Sequence, residues 1–219
     1  MYINIHTHHT KPVEGIISIG NLYKNFDQIE PDSLYSVGLH PWYLSEAEWK
    51  NEFSVVKNKS LLPNVVAIGE AGLDKVCSTD FSLQQTVFIQ HIQLANELKK
   101  PLIVHCVKAH AEVIALLKQT QVEVPVLFHG FNKSKELAQQ LIALGYYLSF
   151  GKGLEKQALR DIIATLPIAK IFLETDNSSM SIKEIYTSAA AAFQIDEDSL
   201  SLQLYKNAET VFGAAPTIV

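Results

Sequence analysis

The sequence predicts an α/β protein of the (β/α)₈ TIM-barrel class, of the metal-dependent hydrolase type. Eight short apolar runs typical of buried strands alternate, over most of the chain, with segments whose apolar residues recur at helical spacing. Such alternation favours a parallel sheet covered by helices. The chain has 219 residues and no linker, low-complexity segment or repeat that would divide it. Residues 1–219 are therefore predicted to form a single domain.

The first three strand candidates follow one another closely. They are residues 1–5, 16–19 and 34–37, and the stretches between them carry no sustained helical period. The predicted barrel therefore has shortened connections between strands 1 and 3. A first helix is predicted from Ser45 to Lys59, with Ser45 as its N-cap and Glu48 at the spacing of a capping box.

Strands and helices alternate more regularly in the rest of the chain. Strands are predicted at 65–68, 102–104, 125–128, 146–150 and 169–173, and helices at 81–98, 109–120, 134–144, 154–166, 182–193 and 199–212. His91 lies on the apolar stripe of the 81–98 helix, and we expect it to be a core or interface residue.

Composition limits the classes of protein that fit this chain. A hydrophobic content of 47% with 19% charged residues is typical of a folded globular protein. The apolar runs are too short for a membrane span and no basic-then-apolar leader precedes the first strand, so we expect a soluble, cytoplasmic protein. The net charge of −5 argues against a broad basic surface for duplex DNA. It does not exclude a phosphate-bearing substrate, since bound divalent ions would dominate the local field.

Six side chains of metal-ligating type come at the ends of predicted strands. His6 and His8 close strand 1 two residues apart, so an extended backbone presents both on one face, with His9 on the other. Alone, this pair could equally be chance or the remnant of an expression tag. The other four close strands 4, 5, 6 and 8, and they are Glu70, His105, His129 and Asp176. Barrel enzymes build their active sites at this end of the strands, so the six predict a metal centre.

Several motifs along the chain form a familiar combination. They are His6-Thr7-His8, Gly38-Leu39-His40-Pro41, Gly69-Glu70-Ala71-Gly72-Leu73-Asp74, Gln84 with Phe88, Leu94 and Ala95 ahead of Pro101, His105, His129-Gly130-Phe131, Leu173-Glu174-Thr175-Asp176, and Asn207 ahead of Phe212-Gly213. Over nearly its whole length the chain resembles the TatD family of metal-dependent hydrolases, a branch of the amidohydrolase-like barrels. The resemblance implies that His6, His8, Glu70, His105, His129 and Asp176 bind two divalent ions, with Glu70 bridging them.

The chain departs from the family pattern around the ligands. Asn4 stands where the family usually has Asp, Lys75 where an aromatic residue is frequent, and 177–179 lack the usual Pro. Val107 and Lys108 replace the usual Arg and Asp after the strand-5 histidine. Losing the Arg removes a bidentate phosphate contact that Lys108 replaces only in part. Lys108 is thus a predicted substrate contact, and the ligand set is better kept than the substrate-binding residues.

The mechanism that follows is hydrolysis by a metal-activated water. Two neighbouring ions would make a shared water more acidic and stabilise the attacking and leaving oxygens of a phosphodiester. Asp176 is predicted to act as general base, and Glu70 is the second predicted catalytic residue. His40, beside the rigid Pro41, is predicted either to contact a phosphate oxygen or to be a structural turn histidine. Histidine ligands favour Zn, while carboxylates and a phosphate substrate also admit Mg or Mn.

Three functions remain open from the sequence. The resemblance implies a deoxyribonuclease, with DNA or a small phosphodiester as substrate. The alternative is a metal-dependent hydrolase of a small phosphoester, or of another ester or amide, without nuclease activity. That alternative includes PHP-type phosphoesterases, although the segment from Gly69 to Asp74 favours TatD. A non-catalytic protein with a residual metal is the third, and the complete ligand set argues against it. The oligomeric state is left open.

Overall fold

The computed structural model describes residues 1–9 and 11–213 of the chain. Within these ranges eight strands form one sheet, and their spatial order is their order in the sequence. They are Tyr2–Thr7 (β1), Ile16–Leu22 (β2), Leu34–Val37 (β3), Val65–Asp74 (β4), Leu102–Val107 (β5), Val126–Phe128 (β6), Tyr147–Phe150 (β7) and Ile171–Leu173 (β8). The pairs β1–β2, β3–β4, β4–β5, β6–β7 and β7–β8 are parallel. The predicted (β/α)₈ fold class is confirmed.

Helices separate the strands from β3 onward. The α-helices of the described residues are Trp49–Lys59 (α1), Phe81–Leu98 (α2), His110–Gln119 (α3), Lys135–Ala143 (α4), Gln157–Ile163 (α5), Ile182–Phe193 (α6) and Glu197–Phe212 (α7). Short 3-10 helices lie at Phe26–Gln28, Pro41–Tyr43, Lys152–Glu155 and Ile168–Lys170. No α-helix lies among the described residues between β1 and β3, as predicted. None of the described helices combines the length and the apolar character needed to cross a bilayer, and the cytoplasmic location stays a prediction.

The helices predicted at 45–59 and 154–166 have wrong bounds. The N–H groups of Glu48 and Trp49 donate to the backbone carbonyl of Ser45, so residues 46–48 form a turn and α1 begins only at Trp49. Glu48 occupies the N-cap position without a side-chain cap hydrogen bond, and the expected capping box is absent there. The helix predicted at 154–166 is divided between a 3-10 helix, Lys152–Glu155, and α5.

Strand β4 extends further than predicted, so Glu70 lies inside it rather than at its end. Gly69 and Gly72 predict a strand terminus. In the structure, the absence of their side chains instead allows β4 and β5 to approach each other closely. A Cβ atom at Gly69 would overlap the carbonyl oxygen of Ile103, and one at Gly72 would overlap that of His105. The pairing of β4 with β5 also shifts register between Ile68 and Ala71. Strand β5 likewise continues past His105 to Val107.

The contacts of the chain group into two compact units. The first combines Met1–Gly20 with the chain from Leu127 onward, and the second is Asn21–Val126. They are called the first unit and the second unit. The interpretation of residues 1–219 as a single domain stays a prediction.

Buried polar side chains hold the first unit together around β1 and β8. The backbone N–H of Asp176 donates to the His6 carbonyl, and the N–H of His8 donates to the Asp176 carbonyl, each at 3.0 Å. Asn4 donates from Nδ2 to Thr175 Oγ1 at 2.9 Å and accepts the Thr175 N–H at 3.0 Å. Asn4 therefore satisfies both hydrogen-bonding groups of its amide on the residue that precedes Asp176.

Strands and helix α2 form the core of the second unit. His91 is fully buried in α2, where Nδ1 lies 2.8 Å from the Val87 carbonyl and Nε2 accepts the Leu39 N–H at 2.9 Å. Burial lowers the pKa of His91 to about 4, although the Val87 carbonyl opposes the shift. His91 is thus a neutral core histidine, which was one of the two predicted alternatives.

Candidate active site

In the first unit, His6 of β1, His8 directly after β1 and an aspartate after β8 converge. His8 Nε2 lies 3.3 Å and His6 Nε2 lies 3.8 Å from Asp176 Oδ1. The backbone hydrogen bonds between 6–8 and Asp176 fix this arrangement. The His6 side chain is fully buried, whereas 28% of the His8 side chain and 38% of the Asp176 side chain are exposed. The three offer ligand atoms within 4.8 Å of one another at a site that solvent can reach.

His129 joins this group through a second carboxylate. It directly follows β6, and its Nδ1 lies 3.3 Å from Oε1 of the buried Glu174. The same oxygen accepts the Gly130 N–H at 2.8 Å. Together His129, Glu174 and Asp176 again offer ligand atoms within 4.8 Å. With Nδ1 directed at Glu174, His129 can present Nε2 to a cation. We call His6, His8, His129, Glu174 and Asp176 the first ligand group.

In the second unit, Glu70 lies between two histidines. Its Oε1 is 2.7 Å from His105 Nδ1 and 3.1 Å from His40 Nε2, and all three side chains are buried. Its Oε2 accepts a hydrogen bond from Asn21 Nδ2 at 2.9 Å, and Asn21 Oδ1 accepts the Glu70 N–H at 3.0 Å. Asn21 therefore holds the Glu70 carboxylate with Oε1 directed toward the histidines.

A further carboxylate supports His105. Its Nε2 lies 3.1 Å from Asp74 Oδ2, which also accepts the Trp42 indole N–H at 2.6 Å. Asp74 Oδ1 accepts the Val76 N–H at 2.7 Å. Burial by itself disfavours the Asp74 carboxylate, but these donors together hold the pKa of Asp74 below its usual range. We call His40, Glu70, Asp74 and His105 the second ligand group.

The donor sets of both groups fit a divalent cation. Imidazole nitrogens and carboxylate oxygens are the ligands that Zn takes in proteins, and carboxylates also suit Mg and Mn. His105 and His129 each direct one ring nitrogen at a carboxylate, Asp74 and Glu174 respectively. Metal-ligating histidines almost always have such a partner on the second nitrogen, which orients the ring.

The structure distributes the predicted site residues over the two ligand groups. His6, His8, His129 and Asp176 lie in the first, and Glu70 and His105 in the second, beside His40. Because His40 Nδ1 accepts the Trp42 N–H at 3.2 Å, His40 is also the turn histidine that caps the 3-10 helix Pro41–Tyr43.

The other predicted positions lie outside these groups. Lys108 follows β5 on the surface, with a left-handed φ of 53°. His9 faces away from the group, with its Nε2 3.2 Å from the Ser178 carbonyl. The substrate contacts predicted for His40 and Lys108 stay predictions.

Three supporting residues received no role from the sequence. Asp74 and Glu174 stand inside motifs that carry the resemblance, and each was visible as an acid beside a predicted ligand segment. Asn21 had no such signal, because it lies near the end of β2 in an ordinary apolar run.

A cleft of about 430 Å³ opens in the first unit beside the first ligand group. Glu174 and Asp176 line it, together with Gly151, Lys152 and Gly153. The remaining lining residues are 130–132, Thr175 and 177–179. The residues that line the cleft therefore include an accessible carboxylate, Asp176, and a basic residue, Lys152.

A barrel whose strand ends carry histidine and carboxylate groups is the architecture of a metal-dependent hydrolase. Comparison with known families identifies the family within this class. The family model described as "TatD related DNase" matches residues 5–213. The chain belongs to this family, and the resemblance predicted from the sequence is confirmed.

Relatives support the same assignment. An uncharacterized metal-dependent hydrolase of Buchnera aphidicola is 31% identical over 182 residues, which cover 78% of this chain and 68% of the relative. The metal-dependent hydrolase YcfH of Escherichia coli K12 is 32% identical over 66% of this chain and 55% of its own length. A protein of Escherichia fergusonii named 3'-5' ssDNA/RNA exonuclease TatD is 29% identical over 75% of this chain and 67% of its own. The chain thus spans between 55% and 68% of the length of these relatives.

Solved structures share the fold. The TatD homolog YJJV of Escherichia coli superposes with a TM-score of 0.82 at 22% identity, covering 97% of this chain and 98% of that one. A TatD family hydrolase from Entamoeba histolytica gives the same TM-score, 0.82, at 16% identity, again covering 97% and 98% of the two chains. At these identities the comparison establishes the fold.

Proposed function

We propose that this protein is a divalent-metal-dependent hydrolase that cleaves phosphodiester bonds in nucleic acid, as a TatD-type deoxyribonuclease. The observation that carries the proposal is the convergence of ligand atoms in each group, with Asp176 beside His6 and His8 and Glu70 beside His105. Family membership and the nuclease name of the Escherichia fergusonii relative support it.

We further propose that the chain holds two ions, of Zn, Mg or Mn. His6, His8, His129 and Asp176 would hold one, and Glu70 and His105 would contribute to the other. A bound divalent ion supplies Lewis acidity, which makes a phosphodiester more electrophilic and a water molecule more acidic. Asp74 and Glu174 would serve by orienting His105 and His129.

The chain's own residues then have separate tasks. Asp176 exposes 38% of its side chain and lines the cleft, so its carboxylate can accept a proton from an attacking water. Glu70 is buried and held by Asn21, which suits a fixed ligand rather than a mobile base. Lys152 lines the same cleft as Asp176 and can attract a substrate phosphate.

Hydrolysis of a small ester or amide is the second candidate. One observation favours it, the replacement of the family's usual Arg and Asp by Val107 and Lys108 after β5. The exonuclease name of the Escherichia fergusonii relative favours the nuclease. Substrate, metal identity and number of ions all belong to this proposal.

A substrate panel separates the two candidates. Protein stripped of metal with a chelator is incubated with single-stranded DNA, duplex DNA and a chromogenic phosphodiester, in the presence of Zn, Mg or Mn. We expect DNA cleavage that requires a metal and is abolished in Glu70→Ala. The matched control is Glu97→Ala, which removes an exposed carboxylate of α2 and should cleave like the wild type. Intact DNA alongside a hydrolysed small ester would overturn the nuclease assignment.

A further inference from the structure

A cluster of aromatic side chains, two of which are exposed, borders the second ligand group. We define the aromatic platform as Tyr23, Trp42 and Tyr43 together with Lys24, all within the second unit. Trp42 and Tyr43 each leave 54% of their surface exposed. Clustered large aromatic residues that are not buried in a core indicate a binding surface more often than isolated exposed ones.

The platform has a fixed geometry. The rings of Tyr23 and Tyr43 stack with centroids 5.0 Å apart and planes only 12° apart. Lys24 Nζ lies 5.1 Å from the Tyr23 centroid and 5.4 Å from the Tyr43 centroid, within the range of cation–π contacts. The Trp42 indole is held by its hydrogen bond to Asp74. These contacts therefore hold the three rings in place before any ligand binds.

The platform lies next to a predicted metal ligand. The His40 ring centroid is 5.0 Å from that of Trp42 and 5.7 Å from that of Tyr43. On its other side, His40 Nε2 is 3.1 Å from Glu70 Oε1. One side chain thus separates the aromatic rings from Glu70. This spacing suits a substrate whose planar group and reactive group are neighbours.

We propose that the aromatic platform is a subsite that stacks an unpaired nucleobase adjacent to the phosphodiester to be cleaved. The proposal rests on the function proposed above and extends it to the base beside the reacting phosphate. Aromatic faces stack on any base without reading its sequence, and a neighbouring Lys can neutralise a phosphate of the same strand. Bases within a duplex stack on each other, so the subsite selects single-stranded nucleic acid.

Binding without turnover tests the subsite. The full-length protein is stripped of metal with EDTA, and fluorescence anisotropy follows its binding to two labelled probes. One is a single-stranded oligothymidylate, and the other has the same length and phosphates but abasic sugars. The variants are Tyr43→Leu and Tyr43→Phe, with Tyr205→Leu as the control because Tyr205 is a half-buried tyrosine of α7 in the first unit.

We expect Tyr43→Leu to weaken binding of oligothymidylate about 10-fold, since one base–aromatic contact is lost. Tyr43→Phe keeps an aromatic face and should bind like the wild type, as should Tyr205→Leu. The abasic probe should bind more weakly than oligothymidylate to the wild type and equally to all variants. Equal binding of the two probes by the wild type, or an unchanged Kd in Tyr43→Leu, would overturn the proposal.

Two further measurements distinguish a failure of the subsite proposal from a failure of the proposed nuclease function. Cleavage of DNA by the metal-loaded wild type tests the nuclease itself. Cleavage with unchanged binding in Tyr43→Leu would overturn the subsite alone, whereas base-dependent binding without any cleavage would overturn the nuclease alone. Sedimentation of Tyr43→Leu tests a protein partner: a loss of self-association with unchanged oligonucleotide binding would assign the platform to a protein interface and overturn the subsite.

Discussion

Single residues just outside the predicted ligands orient those ligands. Asp74 faces His105, Glu174 faces His129, and Asn21 fixes Glu70. Asp74 also accepts hydrogen bonds from the Trp42 indole and the Val76 N–H, and Glu174 Oε1 accepts the Gly130 N–H, so these contacts restrict the rotation of both carboxylates. The chemistry expected of the predicted ligands therefore depends on the neighbouring side chains that orient them.

Replacing Asp74 with Asn tests this dependence. The carboxylate accepts from three donors, the Trp42 indole, the Val76 N–H and His105. An amide has one acceptor oxygen and turns its NH₂ toward at least one of these donors. We expect Asp74→Asn to lower metal affinity by about 10- to 100-fold, as is typical for the loss of a carboxylate that orients a ligand histidine. Competition with a chromophoric chelator measures the affinity.

The control for this variant is Asp32→Asn, at an exposed position of the second unit. It changes the net charge by the same amount and should leave metal affinity at the wild-type value. A folded Asp74→Asn protein, verified by circular dichroism, that binds metal as tightly as the wild type would contradict the positioning role.

At the scale of elements, buried polar residues connect helices to strands. In the second unit His91 of α2 accepts the N–H of Leu39, just after β3. In the first unit Asn207 of α7 donates from Nδ2 to the carbonyls of Ile168 and Ile171, at 2.8 and 2.9 Å, where the chain enters β8. Both side chains provide a hydrogen-bond partner for backbone groups at a strand terminus. Apolar packing alone would leave those backbone groups unsatisfied.

The buried His91 predicts a specific pH dependence of stability. Its pKa of about 4 in the folded state lies below the usual histidine value of 6.5. Protonation therefore favours unfolding: the contribution of His91 is fully present above pH 6.5 and is lost as pH falls through 4. Between pH 7 and pH 4 we expect it to reduce the free energy of unfolding by roughly 3 kcal/mol. Urea unfolding across this range measures the effect.

The variant His91→Gln provides the comparison, since it removes the titrating group and keeps an acceptor. It should be less stable than the wild type at pH 7, yet lose about 3 kcal/mol less between pH 7 and pH 4. Carboxylates contribute equally in both proteins and cancel. Parallel pH profiles for the two proteins would show that His91 is not the group responsible.

We predict that replacing Asn207 lowers the free energy of unfolding without changing its dependence on pH. Asn207→Ala leaves the carbonyls of Ile168 and Ile171 without this buried donor, which we expect to cost about 2 kcal/mol in the free energy of unfolding. The matched control, Asn51→Ala on the exposed side of α1, should stay within about 0.5 kcal/mol of the wild type. Urea denaturation measures both. Equal stabilities of the two variants would argue against a structural role for the Asn207 amide.

Sequence pattern predicts some elements better than others. Helices α2 and α6 have the predicted bounds because continuous apolar periodicity defines them. The end of β4 was misplaced, since Gly69 and Gly72 read as a terminus while their missing side chains allow β5 to approach. The start of α1 was misplaced because the capping-box spacing of Ser45 and Glu48 also suits a turn closed by the Ser45 backbone. The local sequence pattern does not distinguish a strand terminus from a close approach of two strands, nor a capping box from a turn.

For the whole molecule, the order of elements was predictable from the sequence and the contacts that support the predicted ligands were not. Alternating apolar runs indicate a (β/α)₈ fold, and that fold brings strand ends to one face, which is why six scattered residues could be assigned together. The hydrogen bond of Asn21 to Glu70 joins residues 49 positions apart. No linear spacing encodes such a contact. The aromatic platform was hidden for the same reason, because Tyr23 and Tyr43 stack only in the folded chain.

The central claim is that this protein hydrolyses nucleic acid with divalent metal held by its histidine and carboxylate groups. The most direct test is the initial rate of single-stranded DNA cleavage as metal is returned to chelator-treated protein, measured in parallel for the wild type and Glu70→Ala. We predict no cleavage without metal, a rate that rises and saturates as metal is added to the wild type, and no cleavage by Glu70→Ala at any metal concentration. Cleavage in the absence of metal, or a wild-type rate in Glu70→Ala, would contradict the claim.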